Sequence, residues 1–202
     1  MISLGIKLDE LLRELEITGE RNDAQETDRK KKFLNLERPT AELLYLLLGI
    51  SGSKNVLEIG TSNGYSTIWI AAALGHLADA RFISVEILPE KLALARKNLA
   101  RAGLEQRVEL NEGDATDVVA RLEGLFDCVF FDADRLSAPS QLRLLLPKLS
   151  DEVLLLADNA LSHPEEISAY RKMVEGLPNF VGTLTPVGKG LHIAWRRGPA
   201  GP

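Results

Sequence analysis

Apolar residues recur with a helical period in the first part of the chain. Leucines spaced three and four positions apart predict the buried face of a first helix that ends near Gly19. These leucines are Leu8, Leu11, Leu12 and Leu15. Residues 20–32 are almost wholly polar, which is typical of a solvated helix face or a mobile linker, or alternatively of a flap at a ligand mouth. A second apolar helix is predicted from Ala41 to about Ile50, with Pro39 close to its first turn.

From residue 55 onward, short apolar runs alternate with amphipathic segments. Strands are predicted at residues 56–60, 81–86, 107–110, 126–132 and 153–157. Helices are predicted at residues 66–77, 89–102, 115–122, 140–149 and 165–176. Residues 180–187 and 191–196 are predicted to form a hairpin around Gly188-Lys189-Gly190. The alternation indicates an α/β fold of three layers, in which helices cover both faces of a mostly parallel sheet.

Composition limits the classes of protein and of site. The 202 residues include 24 Lys and Arg and 29 Asp and Glu, for a net charge of −5, so nucleic acid is not an expected partner. The basic run at residues 29–32 is the one feature that favours such a partner. A single cysteine excludes an intrachain disulfide and a cysteine zinc site, and the apolar run around Cys128 predicts a buried thiol.

The chain also lacks the marks of membrane insertion or export. No apolar run approaches the roughly 20 residues that span a bilayer, and the charged residues Lys7, Asp9 and Glu10 interrupt the N-terminus where a signal peptide would be apolar. We therefore expect a cytoplasmic protein with no membrane partner.

The first strand leads into a turn that contains two glycines. The run Glu58-Ile59-Gly60-Thr61-Ser62-Asn63-Gly64-Tyr65-Ser66 connects this strand to the next helix. In open α/β sheets, ligands bind beyond the carboxyl ends of the strands. Glycine allows a tight turn and a close backbone approach, and a helix N-terminus offers donors to an anionic group. The spacing matches neither the dinucleotide glycine motif nor the Walker loop.

Two further strand ends carry acids that suit a nucleoside. Glu86 ends the second strand, where a carboxylate can accept hydrogen bonds from both ribose hydroxyls. Ile87 beside it offers an apolar wall for a base. Asp114 follows the third strand and either accepts from an exocyclic amine or caps the next helix. The alternative for Glu86 is that it has no ligand role and is a surface residue that precedes a helix.

The fourth and fifth strands end in carboxylates. Asp132 follows the fourth strand, and Asp158 and Asn159 follow the fifth. Because neighbouring parallel strands end at the same edge, these side chains are predicted to lie together. Two carboxylates and an amide oxygen make an all-oxygen site suited to Mg²⁺, Mn²⁺ or Ca²⁺. The alternative is that one or more of them caps the following helix.

These motifs resemble those of class I S-adenosylmethionine-dependent methyltransferases. More narrowly, the chain is similar to the cation-dependent O-methyltransferases typified by catechol and caffeoyl-CoA O-methyltransferases. The resemblance covers about residues 36–196 and rests on residues 56–67, 126–134 and 155–159. It implies a sheet order of 3-2-1-4-5-7-6 with strand 7 antiparallel. It also implies a homodimer and a small-molecule acceptor at a mouth built partly by the N-terminal helices.

The resemblance assigns roles to individual residues. The methionine part of the cofactor would lie against Gly60, Gly64 and Ser66, the ribose against Glu86, and the adenine edge against Asp114 and Ala115. The whole predicted cofactor-binding set is Glu58, Gly60, Thr61, Gly64, Tyr65, Ser66, Glu86, Ile87, Asp114, Ala115 and Asp132. The metal ligands would be Asp132, Asp158 and Asn159.

The chain departs from the family at three places near the expected acceptor. The family usually has a lysine, often proposed as the general base, where this chain has Arg135, which is not deprotonated in proteins. Residues 136–140 lack the tyrosines that often follow, and Lys189 stands where the family often has aspartate. His163 is an alternative base, or simply an exposed residue near a helix start. The predicted catalytic residues are Asp132, Arg135 and His163.

The sequence therefore predicts transfer of a methyl group from S-adenosylmethionine to a hydroxyl oxygen of a vicinal diol or catechol-type acceptor held by a divalent cation. The alternatives are an S-adenosylmethionine-binding protein with metal-independent or no O-methyl transfer, or an RNA or protein methyltransferase on the same fold. The predicted domains are a helical extension or lid at residues 1–35, a methyltransferase domain at 36–197 and a tail at 198–202.

Overall fold

The computed structural model describes residues 2–198. The predicted tail lies outside this range apart from Gly198. The helices are α1 (Ile6–Gln25), α2 (Arg38–Ser51), α3 (Tyr65–Leu74), α4 (Pro89–Ala102), α5 (Ala115–Arg121), α6 (Ala138–Leu145) and α7 (Pro164–Glu175). The strands are β1 (Asn55–Ile59), β2 (Arg81–Glu86), β3 (Glu109–Glu112), β4 (Phe126–Phe131), β5 (Leu149–Ala157), β6 (Phe180–Thr185) and β7 (Leu191–Arg196). Short 3₁₀ turns lie at Arg29–Lys31, Glu105–Arg107 and Leu146–Lys148.

The seven strands form one sheet in the order β3-β2-β1-β4-β5-β7-β6. β1 to β5 are parallel to their neighbours, whereas β7 runs antiparallel to both β5 and β6. This confirms the predicted three-layer, Rossmann-like fold and its strand order. Ile59 pairs with Phe131, and Phe131 pairs with Ala157. The carboxyl ends of β1, β4 and β5 therefore lie side by side, and the residues that follow them share one edge of the sheet.

Each face of the sheet has its own apolar core because successive strand residues point to opposite faces. On β4, Cys128 and Phe130 pack under α1, α2 and α3, whereas Val129 and Phe131 pack under α5, α6 and α7. Strands covered on both faces are apolar throughout, which is why their positions were evident in the sequence. The burial of the Cys128 thiol is confirmed.

The first helix is longer than predicted. It continues through Gly19 to Gln25, so the prediction that it ends near Gly19 is wrong. Gly19 is buried, and a Cβ at this position would overlap the amide of Asn35. That amide donates a 2.9 Å hydrogen bond to the carbonyl oxygen of Leu15. The glycine therefore allows the following segment to pack against α1 and does not end the helix.

Two strand boundaries also differ from prediction. β3 lies at Glu109–Glu112, two residues later than predicted, because this polar edge strand is positioned by its pairing with β2. β5 begins at Leu149, four residues before the predicted start. Its first residues include polar Ser150, and the Arg196 guanidinium donates to the carbonyl oxygens of Leu149, Ser150 and Asp151. This contact comes from β7, so the local sequence gives no sign of it.

The predicted leucine face of α1 is confirmed. Leu11, Leu12 and Leu15 are buried in the same core as α2 and α3. The boundary predicted between residues 35 and 36 stays a prediction. Within residues 2–198, no helix is both long enough and apolar enough to cross a membrane.

Candidate functional site

A cavity of about 950 Å³ lies at the carboxyl ends of β1, β2, β4 and β5. Most of the predicted site residues line it, and these are Gly60, Thr61, Tyr65, Ser66, Glu86, Ile87, Asp132, Arg135, Asn159 and His163. The remaining predicted residues of the described chain do not line it, and these are Glu58, Gly64, Asp114, Ala115 and Asp158. One edge of the sheet therefore combines the predicted nucleoside residues with part of the predicted cation site.

The turn after β1 needs glycine at two places for different reasons. Gly60 has φ +109°, and a Cβ there would overlap the carbonyl group of Asp132. Gly60 therefore allows the ends of β1 and β4 to touch at the floor of the cavity. Gly64 has φ +88°, and its Cβ would lie 3.1 Å from the Cα of Ala95. This second glycine allows α3 to start close against α4.

Glu58 lies beneath the cavity, fully buried. Its carboxylate accepts 2.6 Å hydrogen bonds from the hydroxyls of Ser66, Thr67 and Ser84. Burial raises the pKa of Glu58 to about 7, although the three hydroxyl groups act in the opposite direction. Because Ser66 itself lines the cavity, Glu58 acts on the cavity by orienting that hydroxyl.

Glu86 reaches the cavity from the end of β2. It is buried, and its two carboxylate oxygens accept hydrogen bonds from the backbone N–H of Ser62, at 2.8 Å, and of Leu88, at 3.0 Å. Each carboxylate oxygen has more than one lone pair, so capacity remains for hydroxyl donors. Ile87 is 57% exposed and lines the same cavity. Glu86 therefore offers a fixed hydrogen-bond acceptor, and Ile87 offers an apolar surface beside it.

Asp114 lies outside the cavity lining, and its carboxylate caps α5. It accepts hydrogen bonds from the backbone N–H of Thr116, at 2.8 Å, and of Asp117, at 3.3 Å. This is the capping role that the sequence left as one alternative. Contact of Asp114 and Ala115 with an adenine edge stays a prediction.

Asp132, Asp158 and Asn159 meet beyond β4 and β5. Backbone hydrogen bonds continue past the strands, from Asp132 N–H to the oxygen of Ile59 at 2.9 Å and from Asp158 N–H to the oxygen of Phe131 at 3.1 Å. Asn159 has φ +63°, and its amide donates a 2.7 Å hydrogen bond to Oδ2 of Asp158.

The carboxylates of this cluster lie close to each other, which makes their ionised forms less favourable. Burial, and then the Asp158 carboxylate, raise the pKa of Asp132 well above its usual range. Burial raises the pKa of Asp158 to about 6. Oδ1 of Asp158 is buried and has no hydrogen-bond partner within residues 2–198. A free buried carboxylate oxygen beside a second carboxylate and an amide fits a hard cation, which prefers oxygen ligands.

Arg135 and His163 lie at the outer part of the cavity. The Arg135 guanidinium contacts Oε2 of Glu166 through Nη2, at 2.6 Å, and through Nε, at 2.8 Å. His163 precedes α7, and its Nδ1 lies 2.9 Å from the hydroxyl of Ser162. Burial, and then the Arg135 guanidinium, lower the pKa of His163. The imidazole is therefore neutral near pH 7, as a proton acceptor must be.

The cavity also contains residues to which the sequence gave no role. Phe33 and Leu34 line it together with residues of the basic run. The segment is tied down by the Ser62 hydroxyl, which donates to the Phe33 oxygen at 2.7 Å, and by the Lys91 ammonium, which donates to the Lys32 oxygen at 2.6 Å. Both alternatives for residues 20–32 therefore apply in part. Residues 20–25 continue α1 as a solvated helix face, whereas residues 28–30 line the cavity, where the flap alternative placed the run.

Lys189, at the turn between β6 and β7, is a second addition to the site. Its Nζ lies 2.8 Å from Oε1 of Glu37, and it lines the same cavity as Asp132 and Asn159. The one signal in the sequence was that lysine stands where the resembling family often has aspartate.

Comparison with curated proteins finds catechol O-methyltransferases. That of Niastella koreensis is 38% identical over 124 residues, covering 59% of this chain and 55% of that protein. That of Mycobacterium tuberculosis is 36% identical over 121 residues, covering 59% of this chain and 54% of that protein. The chain thus spans about half the length of these curated relatives.

Comparison with solved structures and with protein families gives a wider match. An O-methyltransferase of Bacillus cereus in complex with S-adenosylhomocysteine has a TM-score of 0.79 at 26% identity, covering 94% of this chain and 91% of that one. TomG of Streptomyces achromogenes, in complex with S-adenosylmethionine, has a TM-score of 0.78 at 27% identity, covering 94% and 91%. A family model described as O-methyltransferase matches residues 8–175. Because this match covers well over half of the chain, the protein belongs to the O-methyltransferase family.

Proposed function

We propose that this chain transfers a methyl group from S-adenosylmethionine to a hydroxyl oxygen of a small molecule. The observation that carries the proposal is a single cavity lined by the Gly60 turn, by Glu86 and by Asp132. A nucleoside subsite and an acidic subsite thus share one space. The relatives named catechol O-methyltransferase, and the neighbours bound to S-adenosylmethionine and S-adenosylhomocysteine, support the same function.

The residues around Glu86 fit the cofactor. Glu86 would accept hydrogen bonds from the ribose hydroxyls, and Ile87 would cover the base. The Ser66 hydroxyl, held by Glu58, would face the methionine part of the cofactor. When bound, S-adenosylmethionine supplies an activated sulfonium methyl group. The protein's task is then to hold the acceptor oxygen in line with that group and to exclude water.

The acidic cluster fits the acceptor side. Asp132, Asp158 and Asn159 would hold a divalent cation, and a bound cation lowers the pKa of a coordinated hydroxyl. Two vicinal hydroxyls suit such a site because they can chelate. Arg135 is paired with Glu166 and cannot take the proton, so it contributes positive charge at the rim. His163, neutral and on the same cavity, is the proposed base.

The same proposal includes a homodimer and a cytoplasmic location. The homodimer is what the resemblance implies, and light scattering of the purified chain tests it. Residues 1–35 are proposed as the helical part of the acceptor mouth.

The decisive experiment is a methyl-transfer assay with labelled S-adenosylmethionine, a panel of catechols and other vicinal diols, and Mg²⁺ or Mn²⁺. We expect a mass gain of one methyl group on a hydroxyl of at least one acceptor. The matched variant Asp158→Asn is expected to lose most of the activity while its calorimetric affinity for S-adenosylhomocysteine stays within about threefold of wild type. Cofactor binding with no transfer to any diol would contradict the proposal and favour a protein that binds the cofactor without this reaction.

A further inference from the structure

We propose that the Lys189 ammonium is a resident cation of the acidic cluster formed by Asp132, Asp158 and Glu37, and that it weakens the binding of a divalent cation there. The inference rests on the proposed function, because it concerns the cation site of that function. It adds a residue from a third part of the chain, the turn between β6 and β7, to which the sequence gave no role.

Backbone hydrogen bonds fix this turn against the cluster. The carbonyl oxygen of Lys189 accepts from the backbone N–H of Leu161, at 2.9 Å, and of Ser162, at 3.0 Å. The carbonyl oxygen of Gly190 accepts from the N–H of Ala160 at 2.8 Å. The three donors directly follow Asn159 in the chain. Lys189 is therefore held beside the proposed metal ligands by the main chain, independently of where its long side chain lies.

The two glycines around Lys189 make this close approach possible. Gly188 has φ +57°, and a Cβ there would lie 2.7 Å from Oε2 of Glu37. Gly190 has φ +93°, and its Cβ would lie 2.6 Å from the backbone nitrogen of Leu161. The turn is thus packed on one side against the start of α2 and on the other against the loop after β5. Lys189 therefore lies at the cavity, and its side chain is 44% exposed there.

The charges around Lys189 are mostly negative. Its ammonium contacts Oε1 of Glu37 at 2.8 Å, while Oε2 of Glu37 is buried with no hydrogen-bond partner in the described chain. Burial raises the pKa of Asp132 and of Asp158, the Glu37 carboxylate adds to this rise, and the Lys189 ammonium acts in the opposite direction. Burial lowers the pKa of Lys189 itself, but Glu37 and the two aspartates outweigh it, so that the pKa is raised and the group stays charged.

One fixed positive charge changes what the cluster offers to a divalent ion. A cation that binds at Asp132, Asp158 and Asn159 is attracted by two carboxylates and repelled by the ammonium. The divalent ion must either bind beside the ammonium, which stays paired with Glu37, or push the ammonium away from the two aspartates. The reaction site then keeps a positive charge at low concentrations of the divalent ion, because Lys189 remains in place.

The test is calorimetric titration of Mn²⁺ alone into the full chain. We expect Lys189→Met to bind Mn²⁺ about tenfold more tightly than wild type, or more, because the repulsion is removed. Lys189→Arg, which keeps the charge, should stay within about threefold of wild type. Lys54→Met is the matched control, because it removes the same charge from an exposed position before β1, at the opposite end of the sheet.

A second pair of variants separates the ammonium from its partner. Lys189→Met also leaves Glu37 without its ion pair, and a freed carboxylate could itself attract Mn²⁺. We therefore compare Glu37→Gln with the double variant Lys189→Met/Glu37→Gln. The double variant is expected to bind Mn²⁺ about tenfold more tightly than Glu37→Gln. Because the double variant contains no unpaired Glu37, it also remains informative should Lys189→Met alone fold poorly.

The outcomes distinguish this inference from the cation site itself. One outcome overturns the inference and leaves the cation site standing. In that outcome wild type binds Mn²⁺ and Asp158→Asn does not. Lys189→Met then binds Mn²⁺ with the affinity of wild type, and the double variant with the affinity of Glu37→Gln. No saturable binding in any variant overturns both. Binding that appears only after Lys189 is replaced supports the inference, since the ammonium then excludes the ion from wild type.

Discussion

Glu86 is the residue on which the predicted ribose contact depends. It is held by the backbone N–H of Ser62 and Leu88, so its carboxylate does not need to reorganise when a ligand enters. We expect Glu86→Ala to weaken binding of S-adenosylmethionine by more than about tenfold, or about 1.4 kcal/mol. Calorimetry with the intact chain measures this. Glu112→Ala is the matched control, because Glu112 pairs with Glu86 in the sheet but is exposed. Equal affinities in both variants would mean that the ribose binds elsewhere.

Glu58 gives the fold a dependence on pH. Its pKa is about 7 in the folded chain and 4.5 ordinarily, so the folded state binds the proton more tightly than the unfolded state. The stability it confers is therefore complete at low pH and is lost as the pH rises from about 4.5 to about 7. This loss amounts to about 3 kcal/mol for the buried group.

The measurement is urea unfolding of wild type and Glu58→Gln at about pH 5 and about pH 8. We expect wild type to lose stability between the two values and the variant to lose about 2.5 kcal/mol less, because part of the change falls below pH 5. Glu112→Gln, at an exposed position, should behave like wild type. The same pH dependence in Glu58→Gln as in wild type would contradict the raised pKa. Some dependence is expected to remain in either case, because Asp132 and Asp158 are also raised.

At the scale of residues, the sequence predicted those site groups that directly follow an apolar strand. Asp132, Asp158 and Asn159 were evident because a buried strand ends at a recognisable place and its next polar residue stands out. Lys189 and Glu37 had no such mark, because they meet through a hairpin and a helix start that are far apart in the chain. A contact of that kind follows from tertiary packing, which local pattern does not contain.

Among the elements, the β1–α3 turn has a tightly constrained backbone. Gly60 has a positive φ and touches the carbonyl of Asp132, whereas Gly52, at the end of α2, has φ +65° and open space around it. Gly52→Ala should cost about 1–2 kcal/mol, from left-handed backbone alone. Gly60→Ala should cost at least about 3 kcal/mol, because steric overlap with the β4 end is added. Urea unfolding compares the two, and equal costs would show that the β1 and β4 ends can separate freely.

Element boundaries were predictable where apolar content or a helix stop signal marked them. β2, α4 and β7 have the predicted bounds, because their apolar or amphipathic pattern begins and ends sharply. α1 and β5 extend further than predicted. In both cases groups from elsewhere contact the extra length: the Phe33 backbone N–H donates to Asn22 and Asp23 in α1, and Arg196 donates to the start of β5. The sequence contains those groups but not their partners.

For the whole molecule, alternating strands and helices together with the motif order were enough to predict the sheet order. A parallel sheet with short crossover connections allows few strand orders, and the resemblance selected one of these orders. The relation of the N-terminal segment to the cavity was left open, since a polar run fits both a linker and a flap. The hydrogen bonds of Ser62 to Phe33 and of Lys91 to Lys32 hold the end of this run at the cavity, where it forms part of the wall.

Because residues 33 and 34 form part of the cavity wall, binding of the cofactor is expected to protect the N-terminal segment from proteolysis. Trypsin cleaves after Arg and Lys. Residues 29–31 are exposed, and Arg29 and Lys30 line the cavity. A ligand that binds the folded chain at about 100 times its dissociation constant stabilises it by about 2.7 kcal/mol. If the ligand also contacts residues 33–36, local opening of the segment becomes less frequent. We therefore expect saturating S-adenosylhomocysteine to slow cleavage at residues 29–32 by about tenfold or more.

The variant Ser62→Ala identifies the route of this protection. It removes the hydrogen bond to the Phe33 oxygen, so cleavage at residues 29–32 should be faster in the free chain, while cleavage after the exposed Lys54 should be unchanged. Digestion followed by mass spectrometry reports both sites in one experiment. Because global unfolding exposes both sites together, equal slowing at Lys54 and in the segment would assign the protection to overall stability. If the ligand slows cleavage only at residues 29–32, the bound ligand must contact the wall directly.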